Sequence, residues 1–243
     1  MTSSSKRPLA VARSVVFAIW MFGLAIVMGI VCLPLLLGAR RPALEAIRLW
    51  MKWVLAGLET ICGLRVEVRG REHLPPGPCL IAAKHQGMLD ILPPLTYLDD
   101  PAFVLKRELI SIPIFGWFAK KAGMIPIDRA GQSKTIRGMM KAASVAAAQG
   151  RQVVIFPEGT RKAPGEPPDY QPGVAALYRE LNVPCVPVAT NSGRVWPASG
   201  LVKWPGTAVF EILPPIPPGL KRAEFMRRLE HDIETASAAL LSG

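Results

Sequence analysis

The stretch "AAKHQGMLDI", from Ala82 to Ile91, places His85 five positions before Asp90, at the end of a short apolar run. On a regular helix five residues turn the chain by about 500°, so the two side chains cannot share a helical face. The pair therefore asks for a strand that ends at His85 and a tight turn that brings Asp90 back to it. An aspartate on imidazole Nδ1 fixes the tautomer and stabilises the imidazolium. Nε2 is then free to take a proton from a hydroxyl. No G-x-S-x-G elbow occurs in the chain, which speaks against a serine hydrolase. The chemistry implied is a general base acting on a hydroxyl that the substrate supplies. The spacing alone is common, so its weight depends on what surrounds it.

Those surroundings alternate between short strands and helices after Gly63. "LRVEVRG" alternates in polarity, and "PCLIAA", "AFVLK", "MIPID", "QVVIFP", "PCVPVAT" and "TAVFEIL" are apolar runs of strand length. Between them a helix is expected from Gly87 to Leu98, disturbed by Pro93 and Pro94. Another, Ala-rich, is expected from Ser133 to Gln149, closed by Gly150, and "RAEFMRRLEHDIETASAALL" reads as a closing amphipathic helix. The Pro/Gly-rich stretches Lys162–Gly173 and Pro214–Gly219 read as ordered turns. This pattern predicts an α/β domain over residues 64–243, with a mixed, largely parallel sheet flanked by helices. In such sheets ligands gather at the carboxyl ends of strands. His85, Lys106, Arg129 and the run Glu158–Arg161 all fall there.

Residues 1–63 form a separate element, expected to be membrane-associated. Half of the 243 residues are hydrophobic, and the formal net charge is +11. Mean hydropathy is +0.28. A basic, apolar chain suits an anionic membrane surface or an anionic substrate. Basic-and-aromatic RNA repeats and zinc-finger spacings are not visible, so no nucleic-acid partner is expected. The four cysteines sit scattered in apolar surroundings and read as buried thiols of a reducing compartment. From Ser14 to Leu37 no residue is charged, and roughly 24 helical residues suffice to cross a hydrocarbon core of about 30 Å. Both flanks are basic, which orients a simple span poorly. A helix that enters and returns near Pro34 and Gly38 fits better. The following stretch, Arg41 to Leu64, is amphipathic and carries Trp50 and Trp53. It is expected to lie in the interface. A single true span is the rival.

Four blocks follow one another in order: "KHQGMLD", "VLKRELISIPIFGWFAKKAGMIPIDR" (Val104–Arg129), "FPEGTR" (Phe156–Arg161) and "VPVA" (Val186–Ala189). In these blocks the chain, from about Leu64 onward, resembles the PlsC-type 1-acyl-sn-glycerol-3-phosphate acyltransferases of the glycerolipid acyltransferase superfamily. That family opens its first block with Asn-His, where this chain has Lys84-His85, and often follows the third with Ser, where Lys162 stands. The resemblance implies acyl transfer from acyl-CoA or acyl-carrier protein to the sn-2 hydroxyl of lysophosphatidic acid, without an acyl-enzyme. His85 would be the base and Asp90 its orienter. Lys106 or backbone N–H groups near His85 would steady the oxyanion. Arg161 and Arg129 are candidates for the acceptor phosphate, with Gly159 and Thr160 beside it. Glu158 is expected to hold Arg161 or the glycerol hydroxyls. The loop around Gly116 and Trp117 would line an acyl channel or pack in the core. No metal or cofactor is implied beyond the thioester co-substrate. An inner-membrane enzyme with its catalytic domain in the cytoplasm is expected.

Other functions share parts of this pattern. An acyltransferase for another lyso-lipid, such as lyso-ornithine lipid, would keep His85 and Asp90 and differ in the acceptor pocket. A thioesterase would put water in place of the hydroxyl. A non-catalytic lipid-binding protein would have no need of intact His85, Asp90 and Arg161.

Overall fold

The computed structural model describes residues 3–128 and 133–242. Helix α1 runs from Ser3 to Val31, and a 3-10 turn at Leu33–Leu36 leads into α2, Arg40–Cys62. Gly63 ends α2 in the left-handed region, φ 67°, which a residue without Cβ adopts at little cost. The sheet strands and covering helices then follow in chain order: β1 (Leu64–Arg69), β2 (Leu80–Ala83), the single-turn α3 (Pro94–Tyr97), β3 (Pro101–Lys106), α4 (Phe115–Lys121), β4 (Ile125–Ile127), α5 (Ser133–Ala148), β5 (Gln152–Ile155), α6 (Pro172–Leu181), β6 (Cys185–Thr190), β7 (Gly206–Ile212) and α7 (Arg222–Ser242).

Seven strands make one sheet in the order β1-β7-β6-β2-β5-β3-β4. Every neighbouring pair is parallel except β6 with β7. The mixed, largely parallel α/β sheet expected from the sequence is the one observed. Strands β2, β5 and β6 are buried along their whole length, which is why they read as unbroken apolar runs. Alternation within β2 shares out two cores. Ile81 and Ala83 face a cluster with Leu44, Met51 and Leu58 of α2, whereas Leu80 and Ala82 face Phe225, Leu229 and Ile233 of α7. Helices thus cover both faces of the sheet.

Two expected elements differ. The helix over Gly87–Leu98 is a 3-10 turn, Met88–Ile91, followed by α3 alone. Pro93 and Pro94 have no N–H for a helical ladder, so the segment closes short turns instead. Helix α6 begins at Pro172, inside a stretch read as turns. Its Pro at the first position and Asn182 in the left-handed region are ordinary helix boundaries.

Helices α1 and α2 pack antiparallel: Trp20 Nε1 donates to the Trp53 carbonyl at 3.2 Å and Trp50 Nε1 to that of Met21 at 3.4 Å. The apolar face of α2, expected in the membrane interface, is instead largely buried on the domain through Leu44, Met51, Val54 and Leu58, leaving Leu49 and Trp53 outward. Amphipathicity marks a covered face without saying what covers it. Among the described residues, α1 supplies the one segment, Arg7–Val31, long and apolar enough to cross a membrane. It is also tied to the domain. Lys203 N donates to Ser14 Oγ at 2.8 Å, and Phe17 meets Trp196 edge-on, with ring centroids 5.6 Å apart.

At the opposite end of α2, Arg40 and Arg151 both donate to Asp100. Arg151 also donates to the carbonyls of Pro101, Ala122 and Gly123, so one buried guanidinium joins three chain segments. Burial alone would raise the Asp100 carboxyl, but the hydrogen bond from Arg40 and the charge of Arg151 outweigh it and hold the group below its usual range. A depressed folded-state pKa adds stability above the ordinary aspartate value and loses it as pH falls through the depressed one. Of the cysteines, Cys62, Cys79 and Cys185 are buried and Cys32 partly so, all free thiols. Asp100→Asn is expected to lower stability by about 2 kcal/mol at pH 7. In denaturation of the purified protein that deficit should shrink as the pH falls below 3.8, the ordinary aspartate value.

Candidate active site

Strand β2 ends at Ala83, and the chain turns through Lys84–Gly87 before the 3-10 turn. Three donors from that turn converge on one oxygen of Asp90. His85 Nδ1 lies 3.0 Å from Oδ2, Gln86 N 2.6 Å and Gly87 N 2.8 Å. The other oxygen accepts the hydroxyl of Ser192, from the turn after β6. The Asp90 side chain is 1% exposed and that of His85 15%. A buried carboxylate can only accept here, so Nδ1 carries the proton and Nε2 is left bare. Phe156, leaving β5, stacks on the imidazole at 4.2 Å between centroids with planes 22° apart. One contact fixes the ring in its plane and the other fixes its tilt.

The turn itself is clamped. Gln86 Oε1 accepts Gly193 N at 2.9 Å, and Lys162 N donates to the His85 carbonyl at 2.8 Å. A Cβ on Gly87 would stand 2.5 Å from the Trp196 carbonyl oxygen, so no larger residue fits that approach. The turns after β2, β5 and β6 meet because those strands are neighbours in register: Leu80 faces both Val153 and Cys185.

The other sequence-derived candidates divide. Gly159 takes φ 65° and ends a turn in which its N–H donates to the Phe156 carbonyl at 3.0 Å. Thr160 and Arg161 are exposed beside it, and Arg161 Nη1 lies 3.5 Å from the Ala198 carbonyl. Lys106 is exposed at the carboxyl end of β3, two strands away from β2, or roughly 10 Å at ordinary strand spacing. Arg129 lies outside the described residues. Glu158 corrects the expectation made for it. Its side chain is fully buried, with Oε1 2.7 Å from Lys84 Nζ and Oε2 accepting the His85 N–H at 3.3 Å, so it holds neither Arg161 nor a ligand hydroxyl. The backbone N–H groups expected to serve an oxyanion are also committed: those of residues 85, 86 and 87 all go to carboxylates. The loop around Gly116 is part core and part surface: Gly116 and Phe118 are buried. Leu109, Ile112, Phe115 and Trp117 are exposed, and Ile114 lies against Gly29 of α1. Ser192, Gln86 and Phe156 were missed as site residues. Ser192 carries no local signal, Gln86 stood unassigned in the first block, and Phe156 stood unassigned in the third.

An imidazole held by a buried carboxylate thus lies next to the turn formed by Gly159, Thr160 and Arg161. A family model described as "Acyltransferase" matches residues 65–191, just over half of the chain. The chain belongs to the acyltransferase family. Among curated relatives, the 1-acyl-sn-glycerol-3-phosphate acyltransferase of Pseudomonas aeruginosa is 35% identical over 158 residues, covering 65% of this chain and 62% of that protein. The human alpha isoform of the same enzyme is 31% identical over 170 residues, covering 69% and 60%. The match thus spans about three fifths of those relatives' own length. In fold, the chain is similar to the crystal structure of the 1-acyl-sn-glycerophosphate acyltransferase PlsC from Thermotoga maritima, with TM-score 0.76, 20% identity and coverage of 100% of this chain and 99% of that one. Among the described residues no cluster of three or more His, Cys, Asp or Glu has the form of a metal site.

Within this acyltransferase site the Ser192 hydroxyl is the contact that the motifs do not name. Ser192→Ala leaves a buried carboxylate oxygen without its donor. The expected result is a drop in kcat of roughly tenfold with unchanged KM. Asp90→Asn should cost far more, up to about 10⁴-fold, because the amide can select the wrong tautomer. Steady-state kinetics on both variants check the order.

Proposed function

We propose that this protein transfers an acyl group from a soluble thioester, acyl-CoA or acyl-carrier protein, to the sn-2 hydroxyl of lysophosphatidic acid, giving phosphatidic acid. The observation that carries the reading is His85 Nδ1 held 3.0 Å from the buried Asp90 carboxylate, an arrangement that turns Nε2 over to the acceptor hydroxyl. The likeness to curated enzymes of that name supports it. His85 takes the proton of the acceptor hydroxyl as its oxygen attacks the thioester carbonyl, and the imidazolium then protonates the departing thiolate. No acyl-enzyme is needed, since the attacking hydroxyl belongs to the acceptor. Lys106 and Arg161, both exposed in the segments that follow β3 and β5, are assigned to the oxyanion and the phosphate. An acyl-transfer assay with a panel of lyso-lipids tests the reading. Product is expected with lysophosphatidic acid and not with lyso-ornithine lipid or water, and His85→Ala should lose at least 10²–10⁴-fold. Arg161→Ala should raise the KM for lysophosphatidic acid. Wild-type turnover by His85→Ala would overturn the mechanism.

We also propose that α1 enters one leaflet and does not span, with the catalytic domain on the cytoplasmic side. The first half of α1 is tied to the domain through Ser14, Phe17 and Met21. The antiparallel return of α2 and the exposed Leu109, Ile112, Phe115 and Trp117 beside Gly29 of α1 support the same placement. Single cysteines at Ser4 and Ser242, in a background without native cysteines, should both resist an impermeant label on intact cells. Labelling of Ser4 alone would establish a span.

A further inference from the structure

Lys84 stands where the resembled family carries asparagine, and its side chain is only 3% exposed. An ammonium so placed must give all three of its hydrogens to acceptors or forfeit its hydration without return. It meets three oxygens. Glu158 Oε1 lies at 2.7 Å, and Glu234 Oε1 and Oε2, from α7, lie at 2.8 and 3.0 Å. Tyr170 donates its hydroxyl to Glu234 Oε1 at 2.9 Å. The remaining oxygen of Glu158 accepts the backbone N–H of His85. A chain of contacts therefore runs from the C-terminal helix, through a buried lysine and a buried carboxylate, to the peptide group of the base.

We propose that Lys84 is a positioning residue for His85: it keeps Glu158 as a carboxylate that holds the His85 N–H, and Glu234 is the second carboxylate that a lysine at this position requires. Burial pushes the Glu158 carboxyl upward, and the Lys84 ammonium is the largest influence in the other direction. Without that ammonium a proton on Glu158 turns a charged acceptor of the His85 N–H into a weaker, neutral one. Asparagine, which is neutral and makes fewer demands, leaves no use for Glu234. Lysine at position 84 and glutamate at position 234 therefore form one device, 150 residues apart in sequence.

The inference rests on His85 being the base, and it is tested by variants that leave His85 and the acceptor contacts untouched. In full-length protein, Lys84→Asn should lower kcat by about 10²-fold, the cost of a small misplacement of a reacting group, with the KM for lysophosphatidic acid unchanged. Adding Glu234→Gln to it should recover kcat to within about tenfold of wild type, since it removes the second carboxylate facing the absent cation, the one whose charge pushes the Glu158 carboxyl further upward. Wild-type kcat in Lys84→Asn overturns the proposal. So does a loss that appears in KM, or one that the double variant does not relieve although both variants melt like wild type. If Lys84→Asn alone does not fold, the double variant decides: active supports the device, and inactive or unfolded overturns it. A failed His85→Ala test would instead remove the base while leaving these turnover ratios to be read as they stand.

Discussion

Asp90 carries the site. Four donors end on its carboxylate, three from the turn after β2 and one from the turn after β6. A buried carboxylate is expensive unless nearly every lone pair is met, so the two turns cannot drift apart without stranding it. Parallel neighbours are what make this possible. Strands β2, β5 and β6 run the same way side by side and deliver their carboxyl-terminal turns to one edge. The imidazole, its stacking partner Phe156 and the Gly159–Arg161 turn come from the first two of those strands, and Ser192 from the third.

The elements most legible in the sequence were those whose chemistry is local. A central parallel strand is apolar on both faces, so "LIAA", "QVVI" and "CVPVAT" announced themselves. The geometry of His85 and Asp90 also followed from spacing, because a separation of five excludes a helix face and leaves only a turn. Contacts made across the chain were not legible. Ser192 lies 102 residues from Asp90, and Gln86 lies 107 from Gly193. Ser192 is an ordinary turn residue with nothing nearby to distinguish it, and Gln86, although next to His85, shows no sign in the sequence of its reach to Gly193. Glu158 was misread for the same reason: its block suggested a ligand, while its neighbours in space made it an internal brace. The amphipathic stretch of α2 was read as membrane-facing because an apolar stripe looks the same whether lipid or a sheet covers it.

Helix α7 shows how a remote element acts at the sheet edge. Glu234 reaches Lys84, Ser237 Oγ accepts the N–H of Thr190, and the Leu240 carbonyl accepts the Asn191 amide. One helix thus braces both turns that Asp90 joins. The sequence shows this helix only as an apolar stripe with polar residues between, yet the polar ones are among those that reach the site.

Trp196 has a comparable position on the other face. It sits four residues after Ser192, hydrogen-bonded to the Ser192 carbonyl at 2.9 Å, with its own carbonyl against Gly87 and Lys203 Nζ 4.9 Å over its ring. The edge of the same ring system meets Phe17 of α1. A bilayer exerts lateral pressure on whatever enters it, and α1 is the apolar segment available to feel that pressure. A sideways displacement of α1 therefore bears on Trp196, whose ring meets Phe17 and whose backbone meets both turns around His85. In mechanical terms whatever medium surrounds α1 presses, through Phe17 and Trp196, on the turn that carries the imidazole.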